Sequence, residues 1–540
     1  GELRIVGLFT ASALAEPPGD VPLIRKKIAE VMKRAALPAD SARGRAAGRP
    51  VEREDVDRTG RPRHQPGGSS TVTDADRARG TEQILATADR LWNDDMPVDR
   101  GLVGAPDHGM AEVADGVAFV PSFANVAAVD TADGLVLVDT GSSFMARSIH
   151  RTLRAWTPSR LHTALYTHGH IDHVLGTPVW DAEAAEQGWP RPEVVAHEAV
   201  PERFDRYVRT AGYNTVVNRR QFSIEDLEWP TAYRYPDRTF RDRIDLEVGG
   251  VAVEVHHDRG ETDDHAWAWL PGPRVLCTGD LFIWASPNAG NPQKVQRYPL
   301  EWATALRRML ALFDGAEGGP EVLLPGHGYP IVGGGRIRQA LEETAELLES
   351  LVGQTLELMN AGARLDEAVR TVRAPAHLLA RPYLRPVYDE PEFVVRSVWR
   401  RYGGWWDGNP ATLQPAGERA LAVEMAALAG GARALAARAR DLLDQAQQDQ
   451  AADDRSDGTP GASRSDDPTD AALRLAGHLA ELAWTADPDD GEVCETRRAV
   501  FARRAERATS TMAHGVFSWA ARTSGPPPAD PPPDDGPPPR

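Results

Sequence analysis

Four metal-ligating side chains fall within six positions of the segment LYTHGHIDHVLG: His168, His170, Asp172 and His173. Side chains alternate along an extended segment, so His168 and His170 can point the same way. Asp172 and His173 then turn off its end toward a neighbouring point. Imidazole and carboxylate groups are common ligands of divalent metals in hydrolytic sites. The spacing therefore predicts ligands for two adjacent metal ions, in preference to a surface loop that carries three histidines by chance.

Two later segments offer further ligands in similar settings. Asp280 follows the apolar run RVLCTG, and His327 follows EVLLPG. A carboxylate has two oxygens, so Asp280 can bridge two cations, and the adjacent glycines allow close backbone approach. Alone, each residue could equally be a turn-capping Asp or a loop histidine. Beside the first cluster, both favour a site with two metals.

The elements that must position these ligands are short apolar runs typical of strands. TALYT, RVLC and EVLL precede the candidate ligands, and VAFVPS, NVAAVD and LVLVDTG lie upstream. Stretches with helical periodicity alternate with these runs up to about residue 328. Such alternation predicts an α/β fold in layers, with the ligands at strand ends.

Composition divides the chain into four parts. Residues 1–80 are rich in Arg, Pro, Gly, Asp and Ser without apolar periodicity, and we expect them to be disordered. Residues 81–335 form the expected α/β catalytic domain, and residues 336–521 have almost entirely helical periodicity, interrupted by an acidic linker at about 451–470. The Pro-rich tail, residues 522–540, is expected to be extended and unpacked.

Charge and cysteine content limit the partners and the compartment. The net charge of −18 repels a phosphate backbone, so nucleic acid is not an expected partner. No apolar run reaches the roughly 20 residues of a membrane span. Cys277 and Cys494 cannot build a disulfide framework. We expect a cytoplasmic protein, and a secreted or periplasmic location stays open.

The order H-x-H-x-D-H, T-G-D and P-G-H-G over about residues 105–350 resembles the metallo-β-lactamase superfamily of binuclear metallohydrolases. The resemblance implies an αββα sandwich followed here by a mainly helical domain. The segment VLVDTGSS is similar to an early motif of the superfamily, in which the Asp, here Asp139, supports the metal ligands from behind.

One segment departs from the usual motif. Most members carry P-G-H-T before T-G-D, whereas this chain reads RGETDDHAWAWLP, which places Glu261 at the ligand position. A Glu there resembles the alkyl sulfatase branch, whose two metals share such a carboxylate. His265, four residues later, is the competing ligand and ranks second because the strand register favours Glu261. His197, His256 and His257 are expected to stay outside the metal shell.

The second half resembles the alkyl sulfatase dimerisation domain, most specifically in the run YGGWWDGNP at residues 402–410. Large aromatic residues between glycines suit a turn packed against a partner, so we expect a homodimer. An internal core turn without a partner is the alternative. Well-known alkyl sulfatases carry a further lipid-binding domain, and we expect none after Ala521.

The resemblance implies hydrolysis of an alkyl sulfate ester by a metal-bound hydroxide, with Asp172 as the catalytic carboxylate. We expect two divalent ions per chain, with Zn2+ as the metal, although manganese and iron suit the same ligands. His168, His170 and Glu261 would hold one ion, Asp172, His173 and His327 the other, and Asp280 would bridge them. The expected ligands for the anionic ester are Arg219, Arg220, Asn288 and Lys294. Lactone or thioester hydrolysis on the same metals is the runner-up, and a non-enzymatic scaffold would require missing ligands.

Overall fold

The computed structural model describes residues 74–102, 109–315, 318–453 and 467–525. Residues 1–73 and 526–540, for which we expect disorder or an extended tail, lie outside these ranges, as does most of the expected acidic linker. Helix α1 (Asp74–Trp92) begins seven residues before the expected domain start at Thr81. Ile84 and Leu91 of this helix are fully buried in the main core, which explains why the ordered fold extends upstream of Thr81.

The first sheet has seven strands in chain order. They are β1 (Ala111–Ala114), β2 (Val117–Val120), β3 (Val126–Thr131), β4 (Gly134–Val138), β5 (Leu161–Leu165), β6 (Glu193–His197) and β7 (Arg238–Phe240). Strands β1 to β4 pair antiparallel, and β4 to β7 pair parallel. The parallel half requires crossover connections, which the helices between these strands supply.

The second sheet has six strands, with β8 at one edge and β13 at the other. They are β8 (Arg243–Val248), β9 (Val251–His257), β10 (Ala266–Leu270), β11 (Val275–Ile283), β12 (Val322–His327) and β13 (Ile331–Val332). All neighbours pair antiparallel except β11 and β12, which are parallel. Their carboxyl ends therefore meet at one edge of the sheet, where Asp280 and His327 lie.

The two sheets pack face to face. In β4, Val136 and Val138 belong to the core shared with the second sheet, whereas Leu135 and Leu137 belong to a separate core on the other face. This alternation has the period of two that a strand imposes. That outer face is covered by helices α2 (Ala146–Trp156), α3 (Ile171–Val174), α4 (Thr177–Gln187) and α5 (Val200–Arg209). Helix α6 (Ala211–Phe222) follows α5 in the chain.

The outer face of the second sheet is covered by α7 (Pro299–Leu310) and the long α8 (Gly334–Asn360). Trp302 of α7 and Leu348 of α8 lie in the same core as the strands. The αββα sandwich is therefore confirmed. Helix α8, expected in the helical domain from residue 336, packs against the sandwich because its apolar face completes this layer.

A mainly helical region follows, as expected. Its helices are α9 (Leu365–Thr371), α10 (Ala376–Leu379), α11 (Pro391–Gly403), α12 (Pro410–Leu413), α13 (Glu418–Ala429), α14 (Ala432–Asp453), α15 (Pro468–Ala486), α16 (Gly491–Arg507) and α17 (Thr511–Arg522). The ordered chain extends past Ala521, because Ser524 is fully buried and accepts a hydrogen bond from Arg497 at 2.9 Å.

The aromatic run of residues 402–410 is not an internal core turn. Trp405 is 70% exposed, and Tyr402 and Trp406 are also exposed within one chain. The expected alternative of a core turn is thus wrong. Among the described helices, none by itself is long and apolar enough to cross a bilayer. The bent pair Glu418–Ala429 and Ala432–Asp449 has the necessary length and apolar composition only when its two helices are taken together.

Candidate metal centre

One group of ligands forms where β5 ends. Just beyond this strand the backbone bends at Thr167 and His168, and Nε2 of His168 lies 2.8 Å from Nδ1 of His170. A carboxylate oxygen of Glu261, Oε2, lies 3.5 Å from the first nitrogen and 3.1 Å from the second. Glu261 comes from the loop between β9 and β10, so both sheets contribute to this group.

A second group lies beside the first. Asp172 and His173 sit on the single turn of α3, and His327 is the last residue of β12. Oδ2 of Asp172 lies 3.5 Å from Nε2 of His327 and 3.8 Å from Nε2 of His173. The short helix turns these two side chains away from the direction of His168 and His170, as the sequence spacing predicts.

Asp280 lies between the two groups. Its Oδ2 is 3.7 Å from Nε2 of His168 and 3.4 Å from Nε2 of His327, and its Oδ1 is 3.4 Å from Nε2 of His173. Asp280 is inside β11, directly after Gly279, whose φ of +53° suits glycine. The structure thus brings together all seven residues that the sequence offers as metal ligands.

The residues fit a divalent metal. Three buried atoms of the two groups have no well-directed hydrogen bond: Nε2 of His173, Oε2 of Glu261 and Oδ1 of Asp280. Buried polar atoms without partners are uncommon, and each one calls for an explanation. Mixed imidazole and carboxylate atoms around one point are the donor set that zinc, manganese and iron accept. Cations at these points would satisfy all three atoms.

Electrostatics of the centre also favour bound cations. Burial disfavours ionisation of Glu261, but Arg297 and His170 lower its pKa to about 2. Burial likewise opposes the charged form of His173, yet Asp280 and Asp139 raise its pKa well above the usual value. The carboxylates therefore stay ionised and attract positive charge, which metal ions would supply in place of imidazolium protons.

Asp139, expected behind the ligands, orients the second group. Its Oδ2 accepts a hydrogen bond from Nδ1 of His173 at 2.7 Å. The same carboxylate accepts the backbone N–H and the hydroxyl of Thr167, each at 2.8 Å. Thr167 immediately precedes His168, so one carboxylate holds the start of the ligand segment and one of its histidines. Such support behind a metal ligand fixes its tautomer and orientation.

Glu261 has two buried supports. Nδ2 of Asn288, a residue expected to bind substrate, donates to Oε1 of Glu261 and so orients this candidate ligand. Arg297, which sequence reasoning missed, donates to the backbone oxygen of Glu261 and lies 3.2 Å from Oε1. Arg297 is separated from Glu261 by 36 residues, and no spacing pattern marks it.

His265, the competing ligand, faces the backbone of the centre. Its Nε2 accepts the N–H of Asp280 at 3.1 Å, and its ring stacks on His168 with 4.6 Å between centroids. Burial lowers the pKa of His265 to about 4, which keeps this nitrogen an acceptor. It therefore shapes the position of Asp280 and His168 and belongs to neither ligand group.

A buried ion pair supports the loop of His168 and His170. Oδ2 of Asp264 accepts the backbone N–H of Gly169 at 3.1 Å and Nε of Arg203 at 2.6 Å. Neither residue is marked by a motif in the sequence. His197, His256 and His257 lie outside the two groups, as expected. His197 stacks on His257 with 3.7 Å between centroids, and His256 stacks on Trp267.

The remaining residues expected to bind substrate make different contacts. The charges of Glu261 and Asp172 act to raise the pKa of Lys294, which indicates that this side chain is near the centre. Its Nζ donates to the side chain of Asn218 at 3.0 Å. Arg220 donates to the side chain of Gln293 at 3.3 Å. Arg219 instead donates to the backbone oxygen of Leu227, a contact that stabilises the end of α6.

Comparison with known families gives two matches. Residues 120–327 match the family model of the metallo-beta-lactamase superfamily, and residues 364–453 match that of alkyl sulfatase dimerisation. A linear primary-alkylsulfatase from Pseudomonas sp. is 27% identical over 56% of this chain and 60% of its own length. An (R)-specific secondary-alkylsulfatase from Pseudomonas sp. is 26% identical over 60% of this chain and 52% of its own length.

Among solved structures, a stereoselective inverting sec-alkylsulfatase, Pisa1 from Pseudomonas sp., superposes with a TM-score of 0.67. The match covers 86% of this chain and 80% of that one at 20% identity, which establishes likeness of fold. The chain spans less than two-thirds of the length of the two curated relatives. Along the chain, a segment similar to the metallo-beta-lactamase superfamily is thus followed by a segment similar to the alkyl sulfatase dimerisation family.

Proposed function

We propose that the protein is a binuclear metal-dependent hydrolase that cleaves alkyl sulfate esters to an alcohol and sulfate. The observation that carries the proposal is the position of Asp280, whose two carboxylate oxygens face two adjacent ligand groups. Divalent cations held there would act as Lewis acids on the sulfate group and lower the pKa of water. We also propose that the two bound cations are Zn2+.

The chain itself supplies charge for an anionic substrate. Lys294 and the buried Arg297 lie next to the ligand groups, in a protein whose net charge is −18. Local cations are needed there, because the overall field repels an anionic ester. These two residues would help to bind the sulfate group and offset its charge.

Asp172 is the carboxylate best placed to accept a proton from water. Its side chain is 20% exposed, whereas those of Asp280 and Glu261 are 6% and 5% exposed. In the overall reaction one water is added, one ester C–O or S–O bond breaks, and the alcohol, sulfate and one proton are released. Asp172 would take up that proton as the bond to the water oxygen forms.

The similarity to alkylsulfatases in both sequence and domain order supports a sulfate ester as the substrate. Lactone or thioester hydrolysis is the second candidate, because one metallohydrolase site can serve several reactions. We also propose a homodimer formed through the helical region, since exposed Trp405 and Leu428 lie on segments matched by the dimerisation family. A non-enzymatic scaffold is not favoured, because no expected ligand is missing.

The decisive assay supplies metal-loaded protein with short, medium and long primary and secondary alkyl sulfates, beside a lactone and a thioester. Ion chromatography measures sulfate release, which Asp172→Ala should abolish. Isotopically labelled water then shows which ester bond breaks, because the label enters either the alcohol or the sulfate. Turnover of the lactone or thioester without sulfate release from any chain length would favour the second candidate.

A further inference from the structure

Helix α17 lies outside both segments matched by the family models, yet it packs directly on α6 of the sandwich. At Gly515 the two helices approach so closely that a Cβ atom would lie 2.0 Å from the backbone oxygen of Gln221. No real Cβ contact is that short, and the obstacle is rigid backbone. Glycine at position 515 is therefore required for this contact.

The start of α17 is hydrogen-bonded to two loops near the candidate metal centre, one with Val387 and Tyr388 and the other with Asn291. The backbone N–H groups of Thr511 and Met512 donate to the carbonyl oxygens of Val387 and Tyr388, at 2.9 and 3.3 Å. The hydroxyl of Tyr388 in turn accepts from Gln221 of α6 at 3.3 Å. Burial and the charges of Glu261 and Asp172 raise the pKa of Tyr388, which places its phenol in the field of the centre.

The side chain of Met512 makes the contact with the second loop. Its sulfur accepts a hydrogen bond from Nδ2 of Asn291 at 3.0 Å. Asn291 lies in the loop that also carries Asn288, which contacts Glu261, and Lys294, which contacts Asn218. The first turn of α17 therefore contacts both loops that surround the ligand groups on this side.

The far end of α17 holds a cationic side chain. The guanidinium carbon of Arg220 lies 4.3 Å from the ring centroid of Trp519. The same guanidinium donates to Gln293, the neighbour of Lys294, and its buried Nε has no hydrogen-bond partner among the described residues. The indole face and one amide thus fix Arg220 while leaving a buried N–H free for an anion.

We propose that α17 forms a wall of the candidate active site and that Trp519 is a positioning residue, which holds Arg220 toward the sulfate group of the substrate. The role in substrate binding rests on the proposed function, whereas the mechanical role does not. A stacked indole restricts a long arginine side chain, so less conformational entropy is lost when an anion binds.

The test compares two arginine–tryptophan stacks that have nearly the same distance between guanidinium and ring. Trp519→Ala removes the stack on Arg220, and Trp484→Ala removes the stack of Arg497, whose guanidinium carbon lies 4.2 Å from that ring within the helical region. Hydrogen exchange of residues 211–223 should become faster in Trp519→Ala and stay unchanged in Trp484→Ala. Equal acceleration in both variants, or none in Trp519→Ala, would overturn the proposal.

Binding of octanesulfonate, which has an anionic head but no ester bond, tests the link to substrate. Calorimetry on the metal-loaded protein should give about three- to tenfold weaker binding for Trp519→Ala, near wild-type binding for Trp484→Ala, and recovery in Trp519→Phe. If the wild type binds no sulfonate while hydrogen exchange responds as expected, the proposed function fails and the mechanical role stands. Unchanged sulfonate affinity in Trp519→Ala would contradict the role in substrate binding.

A second pair of variants covers the case in which Trp519→Ala fails to fold. Gly515→Ala meets the backbone of Gln221, whereas Gly477→Ala, also within a helix, meets only the flexible end of Arg504 at 2.6 Å. Hydrogen exchange of residues 211–223 should be faster in Gly515→Ala alone. Equal hydrogen-exchange rates of residues 211–223 in Gly515→Ala and Gly477→Ala would show that α17 does not hold α6.

Discussion

Nδ1 of His173 lies 2.7 Å from Oδ2 of Asp139, and this contact directs the other ring nitrogen toward Asp280. Asp139 has a φ of +62°, a left-handed conformation that is uncommon outside glycine. Asn and Asp are among the residues that tolerate it best. The carboxylate is thus placed behind the metal centre by a backbone geometry that few side chains could share.

Asp139→Asn should therefore keep the backbone while weakening the support of His173. The expected result is about 10–100-fold lower metal affinity, the usual cost of losing such a partner. Competition with a chromophoric chelator measures it. Asp130→Asn is the control, because that carboxylate accepts a hydrogen bond from Thr157 at 2.7 Å, away from the centre. Equal metal affinity in Asp139→Asn and wild type would show that this support is dispensable.

Metal content distinguishes Glu261 from His265 as a ligand. We expect about two divalent ions per chain by elemental analysis, as in binuclear hydrolases. Glu261→Ala should lower that number, because Oε2 faces both His168 and His170. His265→Ala should leave occupancy nearly intact, because Nε2 of His265 accepts the N–H of Asp280. The reverse pattern would assign the ligand position to His265, and protein without metal after reconstitution would remove the catalytic interpretation.

The pH dependence of anion binding should depend on Lys294. Burial and the charge of Arg297 lower its pKa to about 7, so its ammonium forms only as the pH falls through this value. Octanesulfonate should bind about three- to tenfold more tightly near pH 6 than near pH 8. Calorimetry of the metal-loaded protein measures this ratio, which should shrink in Lys294→Gln. An unchanged ratio in that variant would assign the dependence to another group.

The same pKa shift has a consequence for stability. The folded protein binds this proton more weakly than the unfolded chain, in which the lysine pKa is 10.5. Lys294 therefore reduces the free energy of unfolding as the pH falls below about 10, and the full cost is present below about 7. Lys294→Met should raise the midpoint of chemical unfolding at pH 7, and a lower midpoint would contradict the expected cost of burial.

Association should occur through the exposed aromatic run. Light scattering should give about twice the chain mass of 58.7 kDa for the wild type. Trp405→Arg should give the mass of one chain, because a charge would replace a ring that is 70% exposed in the single chain. Tyr213→Arg changes a ring that is 64% exposed on α6 and should leave the mass ratio unchanged. A single-chain mass for the wild type at micromolar concentration would contradict the homodimer.

Local patterns in the sequence predict the layered α/β fold, the helical region and the seven candidate ligand positions. Period-two and period-3.6 patterns are local, and each ligand adjoins an apolar strand or a glycine that can be recognised one segment at a time. The ligand cluster from His168 to His173 predicts two metal ions, and the metal analysis above tests that number. Element boundaries were less certain, because α1 and α8 owe their places to packing on the sandwich.

The surroundings of the candidate ligands depend on how the whole chain folds. Arg203, Asp264 and Arg297 reach the centre from distant positions, and a charged residue has no sequence signal that distinguishes a buried partner from a solvated one. The residues expected to bind substrate also make different contacts in the folded chain, since Asn288 donates to Glu261 while Arg219 donates to a backbone oxygen. The contact of Gly515 with Gln221, nearly 300 residues apart in the chain, depends on how two helices meet. Local sequence patterns do not predict such contacts between distant helices, because the contacts result from the packing of the whole chain.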